Sequence, residues 1–146
     1  MNNKNAKNRI KHTIMPFSAI LVVLFSISAF ADADERGEFK FRITGYWGNG
    51  QVTESKYRDT DNIQNQWEVE FLESTEGDWT YTDFWLEDDD GTNVSDDLRV
   101  QQGSGPVCQS PFESASYIDV YLTGENNNWN SRQYTVSGNW DEETWD

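Results

Sequence analysis

The sequence predicts an all-β fold, a single-domain antiparallel β-sandwich of jelly-roll or immunoglobulin-like type with seven to eight short strands. Three observations favour it. Several segments alternate apolar and polar residues with period two, and Gly, Asn and Asp clusters separate these segments at spacings of about 8–14 residues. No segment shows the 3.6-residue period of an amphipathic helix. A closed barrel is the alternative, because it produces the same pattern.

Two segments, 38–44 and 63–72, show the alternation most clearly. Their apolar residues should form the core: Phe39, Phe41, Ile43, Trp67, Val69 and Phe71. Weaker patterns predict further strands at 51–58, 79–87, 94–101, 117–122 and 132–140. In 79–87 the apolar parity slips, which indicates a bulge or a strand that is buried on both faces.

The Gly-, Pro- and Ser-rich segment 101–116 predicts a long structureless loop, and such loops often carry function. Cys108 is the only cysteine of the chain and lies in this loop. We expect its side chain to be buried beside Val107 and Phe112, because free cysteine packs as a small apolar residue. An intermolecular disulfide is the alternative.

The first 31 residues read as a secretory signal peptide. A basic stretch without acids is followed by an apolar stretch and by Ala29-Phe30-Ala31, a small-residue cleavage pattern. An uncleaved membrane anchor is the alternative. The remaining boundaries are then a flexible acidic N-terminus at 32–37, the sandwich at 38–140 and an acidic C-terminal tail at 141–146.

The C-terminal sequence SGNWDEETWD divides at this last boundary. Trp140 continues the alternation of the final strand and should be buried, whereas the acids that follow have no apolar face. We therefore expect residues 141–146, with Trp145, to be loose.

Charge excludes several classes of ligand. After residue 31 the chain has seven Lys and Arg against 26 Asp and Glu, a net charge of −19. Nucleic acids and anionic membranes are therefore unsuitable partners, because both need clustered cations. A basic protein or peptide is the partner that this charge favours, and the leading hypothesis is an exported, noncatalytic binding module.

The composition also excludes most catalytic chemistry. His12, the only histidine, precedes Ala31, and Cys108 has no second cysteine to pair with. Ser-His-Asp and Cys-His catalysis, Cys/His zinc sites and an intrachain disulfide are thereby excluded. A carboxylate-based glycosidase is the remote enzymatic alternative, although among 26 acids some pair will always have a suitable spacing.

Aromatic residues in polar loops suggest a second binding function. Tyr46 and Trp47 lie between glycines, and Trp129 lies within Asn-rich sequence, so these three could stack on sugars of a surface glycan or cell wall. Packing in the core is the competing interpretation and is favoured for Trp47 and Trp140. Trp129 is the best candidate for an exposed ring.

An acidic turn around Gly91 is the best candidate for a cation site. The oxygen-bearing side chains of Asp88, Asp90, Asn93 and Asp96 could converge on Ca²⁺. The EF-hand register fails, because it would place Leu86 first. An ordinary hairpin turn is the alternative, and no other cofactor is predicted.

Several stretches resemble a family of small secreted proteins of unknown function from Gram-positive bacteria. They are ADADE at 31–35, RVQQGSG at 99–105, LTGENNNWNS at 122–131 and YTVSGNWDEET at 134–144. The resemblance implies a single domain outside the cell. It implies no activity, cofactor or catalytic residue.

Overall fold

Two antiparallel sheets make up the part of the chain that the computed structural model describes, residues 36–145. These residues fall within one compact unit, Asp32–Asp146, and the predicted signal peptide lies outside the described part. The strands are β1 (Gly37–Ile43), β2 (Gly50–Gln51), β3 (Lys56–Tyr57), β4 (Trp67–Ser74), β5 (Tyr81–Glu87), β6 (Leu98–Gln101), β7 (Val107–Gln109), β8 (Asp119–Asn126) and β9 (Tyr134–Asp141). A 3₁₀ turn spans Glu113–Ala115. None of the described helical segments could span a membrane.

The first sheet has the order β1-β9-β4-β7, with β9 antiparallel to both β1 and β4. Gly138 of β9 allows the close approach to β4, because a Cβ at this position would lie 1.9 Å from the carbonyl oxygen of Glu70. The register between β4 and β9 shifts between Phe71 and Glu73, and Leu72 is exposed at this irregularity.

The second sheet has the order β2-β8-β5-β6, and β3 also pairs with β8. Strand β5 keeps a continuous register with β8 and β6. Phe84 and Leu86 contribute to the core, whereas Asp83 and Trp85, on the opposite face of the strand, are buried as well. The parity slip in the sequence therefore reflects a strand covered on both faces rather than a bulge.

Side chains from both sheets form one core, which includes all six apolar residues predicted from 38–44 and 63–72. Phe84 of the second sheet meets Phe39 and Phe71 of the first, with ring centroids 5.7 Å and 5.6 Å apart in edge-on geometry. The predicted β-sandwich is confirmed. Neither sheet closes on itself within residues 36–145, so the barrel alternative is wrong.

The prediction of a structureless loop at 101–116 is wrong for residues 107–109, which form strand β7. Gly103 and Gly105 adopt φ of 76° and 84°, and the chain turns so that β7 pairs with the edge of β4. The segment is too short to show a period-two pattern. Likewise, the single strand predicted at 51–58 is two strands of two residues each, β2 and β3.

Cys108 is exposed, so its predicted burial beside Val107 and Phe112 is wrong. It lies on edge strand β7 opposite Glu68, and its Sγ donates a hydrogen bond of 3.3 Å to Glu68 Oε2. Phe112 is exposed too. Cys108 is exposed because it lies on an edge strand, in which its side chain points away from the half-buried face formed by Val107 and Gln109.

The C-terminal segment is held against residues 58–66 rather than loose. β9 extends through Asp141, one residue beyond the predicted end of the sandwich, and Trp140 is buried as expected. The buried side chain of Asn65 bonds the backbone of residues 144 and 145, although the Trp145 ring is exposed. A long-range contact of this kind leaves no pattern in the local sequence.

Candidate binding surface

Three aromatic side chains from two loops meet at one end of the sandwich. Tyr46 and Trp47 lie in the loop between β1 and β2, and Trp129 lies in the loop between β8 and β9. The Trp129 ring centroid is 5.2 Å from that of Tyr46 and 4.6 Å from that of Trp47, both in edge-on geometry. We refer to these three residues as the aromatic cluster. They are the residues that the sequence selected for ligand binding, and the structure brings them together.

The rings of the aromatic cluster are open to solvent. Tyr46, Trp47 and Trp129 are 56%, 58% and 62% exposed. The expectation that Trp47 fills the core is therefore wrong. Adjoining large apolar groups on a surface are unfavourable in water and commonly mark a place where another molecule binds.

The backbone of residues 45–48 fixes two of these rings in place. The Tyr46 amide donates to the carbonyl of Asn130 at 2.7 Å, and the Gly48 amide donates to the carbonyl of Gly45. Gly45 permits this contact between the loops, because a Cβ there would lie 2.8 Å from the backbone of Ser131. Tyr46 and Trp47 both have φ of 58°, in the left-handed region that bulky residues rarely adopt.

Asparagine side chains shape the loop that carries Trp129. Asn126 is fully buried at the end of β8, and its Oδ1 accepts from the Asn128 amide at 2.9 Å. Its Nδ2 donates to Asn130 Oδ1, which also accepts from the Arg132 amide. These bonds close the loop without apolar packing, so the Trp129 ring remains outside.

Comparison with known families identifies the chain. Residues 27–144 match a protein family of unknown function, DUF2712. The chain belongs to the DUF2712 family. No curated protein and no solved structure shows significant similarity to it. The matched region contains the whole aromatic cluster, and it also includes the C-terminal segment as far as Thr144.

Other aromatic residues of the DUF2712 domain share the left-handed backbone of Tyr46 and Trp47. Within residues 36–145, four residues other than glycine have positive φ, and all four are exposed aromatics: Tyr46, Trp47, Trp79 and Tyr117. Trp79 and Tyr117 were predicted as the first residues of the strands at 79–87 and 117–122, whereas both precede the observed strands β5 and β8. Only the nearby turn sequence Gly77-Asp78 could have placed Trp79 outside the strand.

An acidic surface lies on the outer face of the second sheet. Asp83 of β5 is directly opposite Glu125 of β8 and Arg99 of β6. Arg99 binds Asp83 through two hydrogen bonds of 2.7 Å and 2.8 Å. Burial, followed by repulsion from Asp97 and Asp83, raises the pKa of Glu125. Burial, followed by repulsion from Asp83 and Asp96, raises the pKa of Asp97. Like charges opposite each other weaken a sheet, so this surface is electrostatically unfavourable by itself.

The acidic turn around Gly91 is built as a hairpin turn. Asp88 Oδ1 accepts from the amides of Asp90 and Thr92, and the Asp88 amide donates to the Thr92 carbonyl. Asn93 forms an isolated bridge with Glu87, and the carbonyl of Asp96 accepts from Gln109 Nε2. In the described part of the chain, no three His, Cys, Asp or Glu side chains are grouped to hold a metal ion. The calcium hypothesis stays a prediction.

Proposed function

We propose that this DUF2712 protein is exported and acts as a noncatalytic module that binds carbohydrate through the aromatic cluster. The observation that carries the proposal is a set of three rings, each more than half exposed, in which Trp129 contacts both Tyr46 and Trp47. Two of the three, Tyr46 and Trp47, lie on a backbone in the unfavourable left-handed conformation. Strained, exposed residues of this kind are a feature of ligand-contacting sites. The basic and apolar pattern of residues 1–31 supports export.

Carbohydrate is the ligand class whose chemistry fits this surface best. Sugar rings present apolar C–H faces that stack on indole and phenol rings, and they present hydroxyls that bond to amides at their edges. Trp129 supplies an indole within the amide-rich sequence Asn126–Asn130. Small-molecule sites usually consist of aromatic and apolar side chains with a few polar groups beside them. The proposal is noncatalytic because the chain has no histidine after His12 and a single cysteine.

Two matched tryptophan substitutions test the proposal. Trp129 and Trp145 are both exposed, at 62% and 56%, and they belong to different ends of the sandwich. Binding of the full chain to soluble glycans and to peptidoglycan fragments is measured by tryptophan fluorescence and by pull-down. Trp129→Ala should weaken binding by about tenfold or more, which corresponds to loss of roughly 1.4 kcal/mol. Trp145→Ala should leave binding unchanged.

Two results would contradict this function. One is the absence of binding to every glycan on the panel. The other is an equal loss of binding in Trp129→Ala and Trp145→Ala, because general adhesion of exposed indoles would then explain the signal. Circular dichroism of both variants checks that each is folded.

A basic protein or peptide is the second candidate partner, and a separate observation favours it. Asp83, Asp97 and Glu125 share a face on which Arg99 binds only Asp83, and the raised pKa values of Asp97 and Glu125 reflect the cost of their charges. A lysine or arginine from a partner would reduce that cost.

The test of this second function is binding to a lysine-rich peptide as salt is raised. Affinity should fall with ionic strength, and Asp97→Asn with Glu125→Gln should weaken binding. The control is Asp61→Asn with Glu113→Gln, which removes two charges from exposed positions elsewhere. Binding that does not depend on salt, or that falls equally in both double variants, would exclude this surface as the binding site.

A further inference from the structure

Trp79 is an exposed tryptophan that no feature of the fold requires. It lies between β4 and β5, is 70% exposed and has φ of 62°. The left-handed conformation is unfavourable for an L-residue, and exposure means that little packing offsets this cost. The backbone around it is nevertheless fixed, because its carbonyl accepts from Gln101 Nε2 and the Thr80 hydroxyl donates to the Gly77 carbonyl.

The topology places Trp79 at the same end of the sandwich as the aromatic cluster. β4 ends opposite Val136, near the start of β9, and β5 begins near the end of β8, where Thr82 pairs with Asn126. The turn at 75–80 and the loop at 127–133 therefore emerge side by side. The first carries Trp79 and the second carries Trp129.

Two hydrogen bonds hold the turn at 75–80 against the start of β9, and one ion pair joins it to the loop at 127–133. The Thr75 amide donates to the Thr135 carbonyl at 3.0 Å, and the Thr135 amide donates to Thr75 Oγ1 at 2.9 Å. Arg132 Nη1 lies 4.0 Å from Glu76 Oε1. The two tryptophans are thus carried by neighbouring segments that are joined by these contacts. Tyr81, which follows Trp79 at the start of β5, is a further exposed ring at this end.

We infer that Trp79 is a second contact for the same carbohydrate, so that the ligand is an extended glycan chain rather than a single terminal sugar. This inference rests on the proposed function. Two aromatic contacts carried by one rigid end can engage successive parts of one polymer. The second contact then adds affinity without the entropic cost of a separate association. A short oligosaccharide would reach only one of them.

A series of oligosaccharides of increasing length tests the inference. The probes are β-1,4-linked N-acetylglucosamine and glucose oligomers of two to six units, with affinity for the full chain measured by calorimetry. For the chain without substitutions, affinity should rise about tenfold or more along the series that binds. Trp79→Ala should keep the affinity for the shortest bound oligomer and lose the gain with length.

Tyr117→Ala is the matched control. Tyr117 is also an exposed aromatic with positive φ, at 56°, but it precedes β8 and so belongs to the opposite end of the sandwich. Its substitution should leave the length dependence intact. Trp129→Ala should weaken binding of short and long oligomers alike.

The outcomes separate the two proposals. If no oligomer of either series binds, both the proposed function for these glycans and this inference are overturned. If oligomers bind and Trp129→Ala abolishes the binding, the proposed function stands. In that case, affinity that does not depend on length, or length dependence that survives Trp79→Ala, would overturn the inference alone. An equal effect of Tyr117→Ala would also overturn it.

Discussion

Asn65 should act as a clamp for the C-terminal segment, and its removal should destabilise the fold measurably. The side chain is buried, and its Oδ1 accepts from the amides of Thr144 and Trp145 at 2.9 Å and 2.8 Å. Its Nδ2 donates to the Trp145 carbonyl at 3.1 Å and to Glu143 Oε2 at 3.2 Å. One side chain therefore joins three residues that are about eighty positions away in the sequence.

The magnitude follows from these four hydrogen bonds. Each is worth roughly 0.5–1.5 kcal/mol net, and the partners on the terminal segment regain water when they are released. Asn65→Ala should therefore lower the free energy of unfolding by about 2–3 kcal/mol. A chain that ends at Glu142 should lose at least as much, since it lacks every partner of the side chain and also the hydrogen bonds from the Thr144 amide to the Gln66 carbonyl and from the Asp59 amide to Glu143 Oε1.

A double-mutant cycle distinguishes a clamp from a merely buried polar residue. Urea unfolding of the full chain is compared with Asn65→Ala, with the chain that ends at Glu142, and with both changes together. Because both changes remove the same bonds, the cost of Asn65→Ala should nearly vanish in the shortened chain. Asn62→Ala is the control. Its Oδ1 accepts locally from the Gln64 amide, so its cost should be equal in both backgrounds.

Additive costs in this cycle would refute the reasoning. So would a shortened chain as stable as the full one, because residues 143–146 would then be as loose as their sequence suggests. If the shortened chain is less stable but Asn65→Ala is not, contacts other than those of Asn65 stabilise the C-terminal segment. The hydrogen bond from the Asp59 amide to Glu143 Oε1 would be the first alternative.

Three further predictions follow from other contacts. Burial and carboxylate repulsion raise the pKa of Asp97 and Glu125, so the native state binds more protons than the unfolded chain above the ordinary carboxyl pKa. The free energy of unfolding should therefore rise as pH falls from neutrality towards the ordinary carboxyl pKa, and Asp97→Asn with Glu125→Gln should reduce that slope in urea titrations. Partial burial of the thiol and its bond to Glu68 raise the pKa of Cys108 to about 11, so this exposed thiol should react slowly with a disulfide reagent, and Glu68→Gln should accelerate the reaction. Gly138→Ala should cost about 3 kcal/mol or more, because its Cβ would meet the Glu70 carbonyl at 1.9 Å, whereas Ser137→Ala should cost less than about 0.5 kcal/mol in the same unfolding assay.

The strands of the core could be predicted because their information is local. In 38–44 the residues at alternate positions are Phe39, Phe41 and Ile43, and these are the positions that face the second sheet. A period-two pattern over seven residues fixes both the strand and its buried face. The same pattern identified Trp140 as buried although acids follow it.

Features that depend on distant partners could not be predicted in this way. Edge strand β7 has three residues, and it exists because β4 offers an unpaired edge. Burial of Cys108 was inferred from its residue type, but pairing with that edge leaves the thiol exposed. The aromatic cluster could be predicted only in part. Composition selected Tyr46, Trp47 and Trp129, whereas their contact depends on the approach of two loops separated by about eighty residues.

The left-handed backbone of Trp47 connects the stability of the domain to its proposed function. This conformation costs about 1–2 kcal/mol, and its edge contact with Trp129 returns about 0.5–1.5 kcal/mol. The two terms nearly cancel, so packing alone does not explain a tryptophan at this position. Asparagine adopts the left-handed backbone more readily than most residues, so Trp47→Asn removes the indole ring and keeps the backbone. Trp47→Asn should therefore change the free energy of unfolding by less than about 1 kcal/mol and weaken glycan binding.

The alternative makes the opposite prediction for the same variant. If the Trp47 ring serves mainly to hold the loops at 44–49 and 127–133 together, Trp47→Asn should cost about 3 kcal/mol, as loss of a packed aromatic side chain does. Glycan binding would then fall only because the loops separate. A variant that is as stable as the original chain and binds glycan more weakly assigns the ring to the ligand, since the fold has no other use for a side chain exposed to 58% in a strained backbone.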